Sequence, residues 1–252
     1  MKIFSHSLPE KQHAFLTKRH GMNKADIHYL KLKQFSKISN LTKRSLIYLA
    51  DSFNCNIEDL IFLNQSHSSK CVTIKSFKRI HGKCYPSVFD GDAIVSKVHG
   101  TVLCVITADC APILLYDSRT EISGAIHSGW RGAFEGIVES TIRSFEEFGS
   151  ERSDIKAVLG PTISQEMYEV KDDFLSLFIK DNPKNSEFFN FREKITFDLR
   201  KFVLKKMSDL GVSFISHLDH CTLLDAENFF SHRRSTIQGK IETKRQISAI
   251  KV

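Results

Sequence analysis

The chain has 252 residues, 41% hydrophobic and 26% charged, which fits a globular protein with a sizeable core and excludes a disordered or low-complexity chain. Its formal net charge is +7, but Lys and Arg recur singly or in pairs, so the expectation is a generic basic surface, or a site that attracts phosphate-like anions, rather than a nucleic-acid binder. No segment approaches the ~20 apolar residues that span a bilayer, and the opening MKIFSHSLPEKQHAF lacks a long apolar stretch, so no membrane partner and a cytoplasmic location are expected.

In chain order, residues 27–32 form a partly alternating apolar run that predicts a short strand. Leu46, Ile47, Leu49, Ala50 and Phe53 predict a helix over 41–53. The apolar run 60–63 stops at Asn64-Gln65-Ser66-His67. Residues 92–96 read as a strand, and 101–107 as a buried β-branched strand that ends in Ala108-Asp109-Cys110. Strands follow at 113–116 and 122–126, the second delivering His127 ahead of Ser128-Gly129-Trp130-Arg131-Gly132. Phe134, Ile137, Val138, Ile142, Phe145 and Phe148 share one stripe and predict a single helix stopped by Gly149. A short strand at 157–159 closes at Gly160-Pro161, and Leu199, Phe202, Val203, Met207 and Leu210 mark a helix ended by Gly211. Late strands are predicted at 212–215 and 246–252. Strands and helices interleave without a strict βαβ rhythm, repeat or long linker. The expected fold class is therefore α/β (α+β), one domain over 1–252 with mixed β-sheets flanked by helices.

The cysteines are Cys55, Cys71, Cys84, Cys104, Cys110 and Cys221, with no CxxC pair, so neither a zinc ribbon nor a thioredoxin motif is present and reduced thiols are expected. Two apolar strands end at Cys110 and His127, and His67 also follows an apolar run. Three such ligands on loops at one sheet edge would form an open zinc site with a fourth position for water or substrate. On pattern alone, a lone cysteine at a strand end is more often plain packing. Gly129-Trp130-Arg131-Gly132 opens the predicted helix, where free N–H groups attract phosphate and Arg131 could clamp it. The alternative is a tight turn with Trp130 in the core.

The motifs Asn64-Gln65-Ser66-His67, Asp92-Ala93-Ile94-Val95, Thr107-Ala108-Asp109-Cys110-Ala111-Pro112, His127-Ser128-Gly129-Trp130-Arg131-Gly132 and Gly160-Pro161-Thr162-Ile163 occur in that order. Tyr168-Glu169-Val170, Cys221-Thr222 and Phe229-Phe230-Ser231-His232-Arg233-Arg234 complete the set. From about residue 13 onward the chain resembles the YfiH family, long labelled multicopper polyphenol oxidases or laccases and later described as purine nucleoside phosphorylases. The resemblance implies a fold like that of the cytotoxic necrotizing factors and a Zn2+ ion held by His67, Cys110 and His127. It also implies phosphorolysis of adenosine, inosine, guanosine and methylthioadenosine, with adenosine deamination as a second activity; the partners are then purine nucleosides and phosphate. The chain departs from the family at Lys18 and Met22, where the family has Thr and a second Gly around Arg19 and Gly21. It departs again at Glu166 and Met167, and at Gly239-Lys240, where Gly-Arg is usual.

On that reading Arg131 and the helix N-terminus are the phosphate candidates, with Arg233 and Arg234 behind them, and Arg19 is a candidate substrate contact. Asp109 is either a proton shuttle or the carboxylate that fixes a histidine ligand. Gln65 either reads a purine edge or holds its loop. Two alternatives remain. Cys110 could be a thiolate nucleophile activated by His127, as in a hydrolase or deamidase. Copper-dependent polyphenol oxidation would call for His-x-His pairs, and none of the 11 histidines is so spaced.

Overall fold

A computed structural model describes residues 2–9, 12–76 and 86–252. In the strand Val102–Thr107 every residue is buried, and a strand buried on both faces needs cover on both. Leu103 and Val105 meet Ile94, Leu114, Ala125 and Val158 of a second sheet. Val102, Cys104 and Ile106 pack instead with Leu30, Leu46 and Leu49 from helices. The result is a helix–sheet–sheet–helix arrangement with three apolar interfaces.

The first sheet is seven-stranded. Its order is Lys2–Ile3, His13–Leu16, Lys244–Lys251, Val102–Thr107, Leu60–Asn64, Ser87–Asp90, with Met22–Asn23 also paired to Lys244–Lys251. The second is six-stranded: Phe214–His217, Lys156–Leu159, Ala111–Asp117, Ile122–Ser128, Ala93–Ser96, Cys71–Ile74. Parallel and antiparallel pairs occur in both. Helices Asp26–Lys31 and Asn40–Phe53 cover the first sheet. Ile137–Glu147, Asp172–Asp181 and Leu199–Asp209 cover the second. The fold class expected from sequence, mixed sheets flanked by helices, is the one observed. None of the described helices is long and apolar enough to cross a membrane.

Two expected elements differ. Residues 27–31 belong to the helix Asp26–Lys31, with Leu32 as its C-cap, and not to a strand. Ile27 and Leu30, three positions apart, both face the core, which is helical spacing. Asp26 then locks the helix to the next one, accepting from Ser39 Oγ at 2.6 Å, Ser39 N at 3.1 Å and Thr42 Oγ1 at 2.6 Å. The stripe from Phe134 to Phe148 is also two helices, Trp130–Glu135 and Ile137–Glu147. Gly136 separates them at φ 95°, a left-handed conformation that glycine adopts without a Cβ penalty. Both pieces pack on the same core, so the stripe survives the break. The late strand expected at 212–215 is shifted to Phe214–His217, with Val212 buried ahead of it. Cys84 lies outside the described residues.

The functional segments lie where the chain passes from one sheet to the other. Residues 65–70 link Leu60–Asn64 to Cys71–Ile74, residues 91–92 link Ser87–Asp90 to Ala93–Ser96, and residues 108–110 link Val102–Thr107 to Ala111–Asp117. Asp26→Ala leaves buried donors on Ser39 and Thr42 without their acceptor, and should lower unfolding stability by about 3 kcal/mol. Urea denaturation of the variant and the parent measures this, and a loss below about 1 kcal/mol would contradict the locking role.

Candidate metal centre

Asp92 sits on the 91–92 crossing and is fully buried. Its Oδ2 accepts from Ser68 N at 2.8 Å, Ser68 Oγ at 2.7 Å and Ser66 N at 3.2 Å. Its Oδ1 accepts from His67 N at 2.9 Å and from His127 Nδ1 at 2.8 Å. Burial alone would raise its pKa, but the bonds from His127 and Ser68 outweigh this and hold the carboxyl well below the usual carboxylate range. The ionised carboxylate thus fixes the His67 loop and the His127 ring together. It holds His67 at φ 64°, a left-handed conformation that is costly for a residue with a Cβ.

Three side chains converge in front of this carboxylate. The donor atoms of His67, Cys110 and His127 all lie within 4.8 Å of one another, and Cys110 Sγ is 3.7 Å from His67 Nε2. Tetrahedral coordination at ordinary Zn–S and Zn–N lengths puts such atoms about 3.5 Å apart, so the donor set fits a metal ion. With His127 Nδ1 bound to Asp92, its Nε2 is the nitrogen left for a ligand. Burial works against a Cys110 thiolate, but the charge of His127 and hydrogen bonds from both histidines outweigh it and bring the thiol below its usual range. For His127 burial opposes the cation, while the Cys110 thiolate and Asp92 raise its pKa. Close approach requires glycine behind the site: a Cβ on Gly129 would stand 2.7 Å from His67 Cδ2 and 3.1 Å from Cys110 Sγ.

Two cavities of about 260 Å³ adjoin these residues. Both are lined by His67, Ala108, Cys110 and His232. The first adds His127, Leu63, Gln65, Thr107, Lys24 and Arg245, among others. The second adds Trp130, Ile163, Tyr168, Leu199, Asp109 and Arg233.

The other sequence candidates are placed as follows. Gln65 lines the first cavity, but its amide pairs with the Ile106 backbone, donating to Ile106 O at 2.7 Å and accepting from Ile106 N at 2.8 Å. Asp109, at φ 86°, accepts from Thr222 Oγ1 at 2.6 Å, Arg233 N at 2.7 Å and Ser231 Oγ at 3.0 Å. The carboxylate bonded to His127 is that of Asp92, not Asp109. Arg233 donates to Glu169 O at 2.9 Å and lies 5.4 Å from the Tyr168 ring centroid. Arg131 is exposed, stacked 5.4 Å from the Trp130 ring centroid, and lines neither cavity. Arg19 is exposed and lines neither cavity. Sequence reasoning missed Asp92, Lys24, His232 and Arg245. Asp92 and the exposed Asp90 stand two residues apart ahead of the same apolar strand, so nothing local marked Asp92 as the buried one.

The family model described as multi-copper polyphenol oxidoreductase laccase matches residues 12–252. The chain belongs to this family. A protein of Clostridium acetobutylicum named purine nucleoside phosphorylase is 33% identical over 184 residues, 71% of this chain and 72% of that one. Purine nucleoside phosphorylase YfiH of Escherichia coli is 32% identical over 183 residues, 72% of this chain and 71% of that one. Among solved structures, the YfiH protein of Bacillus licheniformis superposes with a TM-score of 0.76 at 24% identity, covering 95% of this chain and 92% of that one. In this laccase-family member Asp92→Asn keeps a similar shape but replaces an anionic acceptor. Metal affinity should fall by about tenfold to hundredfold, read by competition with a chromophoric chelator; a folded variant with unchanged affinity would break the link between Asp92 and the cluster.

Proposed function

We propose that the protein is a zinc-dependent purine nucleoside phosphorylase with adenosine deaminase activity, acting on adenosine, inosine, guanosine and methylthioadenosine. The observation that carries the reading is the convergence of His67, Cys110 and His127 beside a nucleoside-sized cavity. The relatives' names supply the reaction class. A thiolate with two imidazoles is a donor set suited to zinc. Bound there, zinc would supply a Lewis acid with a vacant position for water or substrate.

The chain's own residues supply the rest. In phosphorolysis a phosphate oxygen bonds to the anomeric carbon while the bond to the purine nitrogen breaks and its electron pair leaves with the base. The base must then gain a proton or a hydrogen bond. His232 lines both cavities, so its ring is placed to donate a hydrogen bond to the leaving base. Trp130 and Tyr168 offer flat apolar walls for a purine. Gln65 and Asp109 act by position: Gln65 closes the end of the Leu60–Asn64 strand against Ile106, and Asp109 draws Ser231 and Arg233 over the second cavity. Among the described residues one group of His, Cys and carboxylate side chains is arranged for a metal, which favours a mononuclear site over a multicopper one.

A second reading has its own observation. Cys110, His127 and Asp92 form a thiol–imidazole–carboxylate chain, with His127 Nδ1 donating to Asp92 at 2.8 Å. That is the arrangement of a cysteine hydrolase or deamidase. One assay separates the two. Purified protein is incubated with adenosine, with and without phosphate, and products are read by chromatography. Adenine with ribose-1-phosphate, formed only with phosphate, marks phosphorolysis; inosine marks deamination. Chelation should abolish both and added zinc restore them. Activity that survives complete metal removal but is lost on alkylation of Cys110 would replace this reading with the dyad.

A further inference from the structure

The cations of the first cavity have no role in the reading so far. Met22–Asn23 pairs with Lys244–Lys251 so that Met22 faces Arg245 and Asn23 faces Lys244, and Lys24 N then donates to Thr243 O at 2.7 Å. This pairing brings Lys24 and Arg245 to the same cavity wall. Among the described residues the Arg245 guanidinium spends only Nη1 on the protein, donating to Glu242 O at 3.0 Å and Lys244 O at 2.8 Å. Among the described residues no carboxylate forms an ion pair with Lys24 or Arg245. Other arginines nearby are committed elsewhere. Arg234 donates to Thr222 O, Leu223 O and Phe229 O, and Arg233 to Glu169 O.

A separate observation points to a ligand in the same place. Thr107 lines this cavity, is 1% exposed, and its hydroxyl has no hydrogen-bond partner. Buried hydroxyls are nearly always partnered. An oxyanion can accept from it while two cations balance the charge.

We propose that Lys24, Arg245 and Thr107 form an oxyanion site that takes inorganic phosphate into the cavity beside His67, Cys110 and His127. The role of that phosphate as co-substrate rests on the phosphorylase reading; its binding does not. A nucleotide's 5′-phosphate shares the chemistry, and Arg131 is the competing cation from the sequence.

The test uses the metal-loaded protein and the variants Lys24→Met, Arg245→Met, Arg245→Lys, Thr107→Val and Arg131→Met, with metal content and melting temperature as folding controls. Inorganic phosphate is titrated calorimetrically, and adenosine 5′-monophosphate in a parallel arm. Lys24→Met and Arg245→Met should each weaken phosphate binding about tenfold or more, Arg245→Lys less, and Arg131→Met should leave it unaltered. In turnover the KM for phosphate should rise by a similar factor while the KM for adenosine stays within about twofold. If Arg245→Met fails to fold, Lys24→Met, an exposed side chain, carries the test. Weakening by Arg131→Met with none from Lys24→Met or Arg245→Met overturns the proposal, as does absence of phosphate binding to the parent. Binding of the nucleotide alone, lost in the same variants, also overturns the assignment to inorganic phosphate. Phosphate binding that the variants lose, in a protein that performs no phosphorolysis, upholds the site and refutes the phosphorylase reading instead.

Discussion

The buried carboxylate of Asp92 is the interaction on which the rest of the centre depends. A buried charge is tolerated only when its oxygens are matched by donors. Here the donors are consecutive backbone N–H groups of residues 66 to 68, the Ser68 hydroxyl and the His127 ring. Each donor is also something the site needs in place. The loop N–H groups hold His67 in its left-handed conformation, and the ring bond fixes which nitrogen of His127 remains free. Backbone strain at a ligand persists only where surrounding contacts over-determine it, and this carboxylate provides those contacts.

The two sheets explain why such a hub exists at this edge. They pack face to face through Phe15, Ile61, Leu103 and Val105 on one side and Ile94, Leu114, Ala125 and Val158 on the other. Short crossings between them cannot run through the dry interface, because their backbone polar groups would go unpaired. They gather at the rim, and side-chain carboxylates satisfy them there. Asp92 does so for the 65–70 crossing. Asp109, on the 108–110 crossing, does so for the Arg233 amide at the start of the helix His232–Ile237. The group of His67, Cys110 and His127 at this rim inherits rigidity from a close-packed core on both sides.

What could be read from the sequence follows from this geometry. The buried strands that deliver Cys110 and His127 were legible as short apolar runs, 101–107 and 122–126, each followed by a reactive side chain, but their convergence with His67 was not. The helix at Asp26–Lys31 was not, because two core contacts in a short run fit either period, and the bond from Asp26 to Ser39 and Thr42 that decides it is tertiary. The break at Gly136 was hidden by a stripe that continues across it. Asp92 was quoted only as part of a motif, because nothing local shows that a carboxylate ahead of Ala93 is buried. Lys24 and Arg245 were invisible as a pair, since only the pairing of Met22–Asn23 with Lys244–Lys251 brings opposite ends of the chain together.

The two buried carboxylates also set the sign of the cavity. Both point their oxygens at backbone N–H groups and hydroxyls rather than at Lys or Arg side chains. Asp92 further binds His127, and so is committed to the group of His67, Cys110 and His127. Among the described residues no carboxylate lines that wall, and burial lowers the pKa of Arg245, with the Cys110, Glu242 and Asp109 charges opposing. A partly desolvated guanidinium with no paired carboxylate is a cost to the fold, and a bound anion relieves it. The same placement of carboxylates that organises the histidines leaves positive charge beside the group of His67, Cys110 and His127, where the proposed phosphorolysis would need phosphate to be held.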